Sequence, residues 1–168
     1  MPTKLFRHLA LTLLTTFFLA PPLQAADAMD ELTRQVARYE LTLPKIEAYG
    51  AVMSSLAEWA TANPKEIAAL NQRLPKKLSD IKVVTAFIEQ EPVIANTLQR
   101  HGLSSVEYFL IPMATLQAGI AALGVQQGQV FPADRINPKN IALVQAHQTR
   151  IDAIVTKARA DQAKMMNR

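Results

Sequence analysis

The sequence predicts an all-α fold: a single-domain helical bundle of about five or six helices, following a cleaved signal peptide. Three observations carry that reading. Apolar residues recur at three- and four-residue steps through most of the chain, and no stretch alternates as a half-buried strand would. Prolines stand where helices start, behind Thr42, Asn63, Glu91 and Asn137, rather than in mid-strand or turn patterns. Only five glycines are spread over 168 residues, too few for a turn-rich β architecture.

The N-terminal residues have the three-part order of an export signal. Lys4 and Arg7 give a positive start, Leu9 to Ala20 is uncharged and apolar, and no acid precedes Asp27. Pro21 and Pro22 break the run, and Leu23-Gln24-Ala25 offers an aliphatic residue followed by a small one at the cleavage position. The expected division is a signal peptide over 1–25 and a helical domain over 26–168. The apolar run is shorter than the roughly 20 residues a spanning helix needs, so a stable membrane span after cleavage is not expected. No cysteine occurs anywhere. That removes disulfides, thiolate nucleophiles and cysteine-based metal or haem attachment, and leaves packing alone to hold the fold. Localisation is expected to be periplasmic or secreted.

The helices follow in order. Asp27 to Glu40 is weakly periodic and reads as a short helix or lead-in. Thr42 and Pro44 open a helix to about Ala62, with Ile46, Gly50, Met53, Leu56 and Ala60 on one side. Asn63-Pro64 starts another over about 65–74, ended by Pro75. Ser79 or Asp80 opens a helix with Ile81, Val84, Phe87 and Ile88 inward; Glu89 and Glu91 at its end read as solubilising charge. Val93 to Arg100 is short and closes on His101-Gly102, where glycine suits the left-handed position and His101 a capping role. Ser104 and Glu107 form a capping box for a helix to about Leu123, with Gly124 as its stop. Val106, Phe109, Leu110, Met113, Leu116 and Ile120 make one stripe of it and alanines most of the other side. No charged residue occurs from Tyr108 to Ala133, so this helix is expected at the centre of the core. A loop over 125–136 leads to Asn137-Pro138 and a last helix over about 138–163, with Ile141, Val144, Ile151, Ile154, Val155 and Ala158 inward.

Two of these stretches, Gly102-Leu103-Ser104-Ser105-Val106-Glu107-Tyr108 and Asn137-Pro138-Lys139-Asn140-Ile141-Ala142-Leu143-Val144, resemble a group of small exported helical proteins of unknown function from Gram-negative bacteria. The resemblance covers roughly residues 85–150. It implies a periplasmic setting and an all-helical fold, and it brings no activity or site residue.

Charge is distributed unevenly. Once Lys4 and Arg7 are set aside, residues 26–134 carry 9 basic and 12 acidic side chains, whereas 135–168 carry 7 and 2. The positive charge belongs to the last helix, where Lys139, Arg150, Lys157, Lys164 and Arg168 fall within about 40° of one another on an ideal helix. That row is the candidate surface for an envelope protein or an anionic surface; nucleic acid is not an expected partner of an exported chain. The second candidate is a ligand site near Tyr108, Pro112, Gln117 and His147. Pro112 frees the carbonyl of Tyr108, Gln117 lies on the apolar stripe, and His147 falls between Val144 and Ile151 on the inner side of the last helix. A small apolar ligand in the bundle core is the function such a site would serve. No nucleophile elbow, SxxK, HExxH or glycine-rich phosphate loop is present, so no catalytic residue, metal site or cofactor is assigned. The sequence therefore points to a non-enzymatic interaction module.

Overall fold

The computed structural model describes residues 23–77, 80–132 and 134–166, with side chains from residue 31 onward. Residues 1–22, which hold most of the expected signal peptide, and Arg168 of the basic row lie outside the described residues. All secondary structure among the described residues is helical. Among the described residues there are eight helices rather than five or six: α1 Leu23–Arg38, α2 Leu43–Ala62, α3 Pro64–Gln72, α4 Ile81–Gln90, α5 Pro92–Arg100, α6 Ser105–Gln126, α7 Pro138–Ala146 and α8 Gln148–Met166.

The count rises for local reasons. The lead-in before Leu41 is a full helix, α1. The expected last helix is two, because His147 departs from helical geometry (φ −124°, ψ 24°) as the C-cap of α7. Backbone bonds still run from His147 N–H to Leu143 O and from Ile151 N–H to His147 O, so α7 and α8 follow one another with a dislocation. Prolines 44, 64, 92 and 138 all stand in the first turn of a helix, where a missing N–H costs nothing. The side chains behind them behave differently. Asn137 accepts from Lys139 N–H as a cap, whereas Thr42 makes no cap bond and Asn63 instead donates to Trp59 O. Asp80 caps α4 by accepting from Lys82 and Val83 N–H.

Gly102 has φ 68° and closes α5 as expected: Leu103 N–H reaches back to Leu98 O and Gly102 N–H to Gln99 O. Gly124 is not the stop for α6. The same pair of bonds closes α6 at Gly128 (φ 80°), from Gln129 N–H to Gly124 O and from Gly128 N–H to Val125 O. Gly124 instead makes room for the loop that folds back over it. A Cβ there would lie 2.6 Å from both Phe131 Cζ and Gln129 Oε1.

α2 is the central helix and packs most extensively on α8, while α6 packs on α7 and α4. The core joins Ile46, Val52 and Leu56 of α2 to Leu98 of α5, Phe109 and Ile111 of α6, and Ile151 of α8. α6 is turned differently from the expectation. Its alanine-rich side is the buried one: Ile111, Ala114, Ala118 and Ala121 are at most 1% exposed. Of the predicted stripe, Phe109 and Leu110 are buried, Met113 and Leu116 half-buried, and Val106 and Ile120 exposed. Small side chains let neighbouring helices approach closely, and Val106 and Ile120 are left on the outside. α6 has the length and hydropathy of a membrane-crossing helix, and just over half of it is buried in the fold.

One buried polar residue pins the entry to α2. Asn140, 1% exposed, accepts from Leu41 N–H (2.8 Å) and donates to Tyr39 O (2.8 Å). A single amide thereby bridges both backbone groups of the α1–α2 link; Tyr39 O also accepts from Asn137 Nδ2 (3.4 Å), whereas Leu41 N–H depends on Asn140.

Candidate functional site

Three of the predicted ligand residues lie on α6 and the fourth, His147, at the α7–α8 junction, and they do not converge. Tyr108 packs against α2, its ring 5.6 Å from that of Tyr49 and its hydroxyl donating to Met53 Sδ (3.3 Å). Burial pushes the Tyr49 phenol up to about 12, and burial together with Tyr49 raises that of Tyr108, so both remain protonated donors. Gln117 is nine residues on, half a turn away around the helix. Its amide donates to Arg135 O (3.0 Å) and ties down the loop after α6. Pro112 is half-buried within α6, which runs unbroken through it. His147 does not point inward: the dislocation between α7 and α8 turns it out, and it is exposed. The helical-wheel argument assumed one regular helix across 138–163, and the break invalidates the wheel at that residue.

The basic row lies along the seam between α8 and the N-terminal half of the chain, and each described member faces an acid. Lys139 pairs with Glu40 (2.8 Å), Arg150 with Glu47 (2.5 Å), and Lys157 and Lys164 both with Asp161 (2.8 and 2.7 Å). The Arg150 contact is ionic rather than an aligned hydrogen bond, since Glu47 Oε1 is buried without a hydrogen-bond partner. Asp161 is the centre of the seam. It is 3% exposed, accepts from Ser54 Oγ (3.0 Å), and is covered by the two lysines. Lys157 also donates to Ser54. The hydrogen bonds from Lys157 and Lys164 outweigh its burial and hold the Asp161 carboxyl down at about 2.

Along this seam lies a depression of about 280 Å³, lined by Glu47, Gly50 and Ser54 of α2 and by Arg150, Ile154 and Lys157 of α8. Gly50 sets its depth. A Cβ at that position would meet Ile154 Cγ2 at 2.7 Å, so only glycine allows the two helices this separation. Two members of the predicted row line the depression, but both are already paired, so it offers no free cation.

Sequence reading missed several tertiary pairs. Ser55 Oγ and His101 Nε2 lie 3.1 Å apart, half-buried, joining α2 to the end of α5. No carboxylate orients the other imidazole nitrogen among the described residues, and the pair serves as a lock between helices. Glu91, read as solubilising, is 7% exposed and holds Arg73 at 2.7 Å, while Glu89 accepts from Ser105 Oγ at 2.6 Å. The capping-box Glu107 also receives Lys45 (2.7 Å), which lies over the Tyr39 ring; the ammonium holds the Glu107 carboxyl below its usual range. These partners are 16 or more residues apart, and no spacing rule links them. Among the described residues no three potential metal-ligating side chains come together. No family model matches the chain, and neither a curated protein nor a solved structure matches it.

Proposed function

We propose that the chain is an exported, non-enzymatic helical module that binds a protein partner along the outward face of α6. The observation that supports this reading is the orientation of that helix. Val106 and Ile120 are exposed (43% and 42%), with Met113, Leu116 and Leu123 half-buried between and beyond them, and no charge occurs on α6 after Glu107. Val125, in the last turn of the helix, and Val130 beyond it are also exposed. Single exposed apolar residues are ordinary, whereas an uncharged strip along a 22-residue helix is the composition of an interface core. The paired charges of the α2–α8 seam leave that side less suited to contact. The export-type pattern of residues 1–25 supports a partner in the periplasm or outside the cell.

A photo-crosslinking residue placed at Ile120 and, as control, at exposed Glu58 tests this in intact cells. The expected outcome is a discrete protein adduct from position 120 and none from 58, lost when Val106 and Leu116 are changed to serine. Equal labelling from both positions would sink the reading. The N-terminal sequence of the protein recovered from the periplasm is expected to begin after Ala25.

A further inference from the structure

The α3–α4 corner carries a cluster of positive charge without acidic partners among the described residues. Over residues 73–83 there are four cations, Arg73, Lys76, Lys77 and Lys82, against one acid, Asp80. The two groups with internal duties are accounted for. Arg73 is held by buried Glu91 and also bonds Ala69 O, and Asp80 faces the first turn of α4 as its cap. Lys76, Lys77 and Lys82 are exposed and have no acidic partner among the described residues. Beside them stand two of the exposed large apolar side chains of the protein, Leu74 (44%) and Val83 (39%). The corner is also fixed at both ends: the Arg73–Glu91 pair anchors it to the α4–α5 junction, and the Asp80 cap anchors it to α4.

We infer that this corner docks on the surface of a bilayer containing anionic phospholipid, with Lys76, Lys77 and Lys82 at the headgroups and Leu74 and Val83 entering the interface. The chemistry is complementary on both counts. Basic side chains near an anionic leaflet each contribute attraction that falls off within a Debye length, and flanking apolar groups add burial at the headgroup–acyl boundary. The described cations of the predicted row are each engaged by Glu40, Glu47 or Asp161, and none of the exposed large apolar side chains lies beside Lys139, Arg150 or Lys157 in the sequence. The inference is independent of the α6 partner face, and its readout contains no partner protein.

The test uses the protein purified after export and vesicles of phosphatidylglycerol and phosphatidylcholine in equal parts, compared with phosphatidylcholine alone. Sedimentation is expected with the anionic vesicles, weakening as salt rises, and little with the neutral ones. Changing Lys76, Lys77 and Lys82 together to glutamine is expected to weaken binding roughly a hundredfold, from about fivefold per lysine. A charge-matched control, Lys139, Arg150 and Lys164 to glutamine, is expected to stay near wild type. Leu74→Ser with Val83→Ser is expected to weaken binding while leaving its salt dependence intact. Circular dichroism of each variant confirms that it folds. Equal binding to neutral vesicles, equal loss in the two triple variants, or full displacement by millimolar inorganic phosphate would each overturn the inference, the last by identifying a free anion as the ligand.

Discussion

Two regions of this protein are rich in lysine and arginine, and they differ in what faces them. Along α7 and α8, each described cation of the predicted row has a carboxylate within 2.8 Å. At the α3–α4 corner, Lys76, Lys77 and Lys82 have none among the described residues. By residue count the first region is the basic one and the half containing the second is acidic. Two acids of that half, Glu40 and Glu47, pair with Lys139 of α7 and Arg150 of α8, while those near the corner are turned to Arg73 and to the α4 cap. Net charge along a sequence therefore did not indicate where the accessible charge lies. The seam is structural, and the corner is free for an external partner.

Mutations separate the two regions by size of effect. The largest is expected at the head of the seam. Asn140→Ala would leave Leu41 N–H buried without a partner and Tyr39 C=O with only the longer bond from the Asn137 amide, and a loss of about 3 kcal/mol in urea unfolding is expected. Asp161→Ala comes next, at about 2 kcal/mol, below the full cost of breaking a buried pair because both lysines are more than half exposed. Its pH dependence has a defined sign. The fold lowers this carboxyl from its ordinary 3.8 to about 2, so its contribution is complete above 3.8 and is lost as the pH falls through about 2. Asp161→Asn should abolish that acid-side loss. If acid unfolding of the Asn variant matched wild type, the ion-pair account of the seam would be wrong.

Gly50→Ala is expected to cost about 1 kcal/mol. Alanine gains up to about 1 kcal/mol in helix propensity, but the clash with Ile154 costs about 1–3 kcal/mol, and Ile154 is stiff at its β carbon. In the Ile154→Ala background the same change should become stabilising, which a double-mutant cycle reads directly. The smallest effects mark the ends of the comparison. Arg150→Ala should lie within about 0.5 kcal/mol, as for exposed ion pairs generally. Lys76→Ala should leave stability unchanged and appear only in vesicle binding. A substantial stability loss at Lys76 would show that the corner is structural after all.

Helix positions were largely legible because their signals are local. Prolines in first turns, the Ser104–Glu107 box and the left-handed Gly102 act within four residues, and each appears where the sequence placed it. The break at His147 was not legible, since it carries no proline or glycine and the backbone bonds continue across it. The orientation of α6 was not legible either. A helix apolar on every side has no preferred face by hydropathy, and close packing favoured its alanines over its larger residues.

By itself the sequence determined an all-helical, cysteine-free chain with an export-type N-terminus and a positive last helix. Those properties follow from periodicity, punctuation and composition, which are one-dimensional. Only the tertiary structure decided that Glu40, Glu47 and Asp161 would face the cations of the basic row, that the Asn140 amide would bridge the α1–α2 link, and that lysines without acidic partners among the described residues would stand at the α3–α4 corner. Each of these depends on which residues meet across the bundle, and pairs up to 107 residues apart are joined by packing geometry that no local spacing encodes.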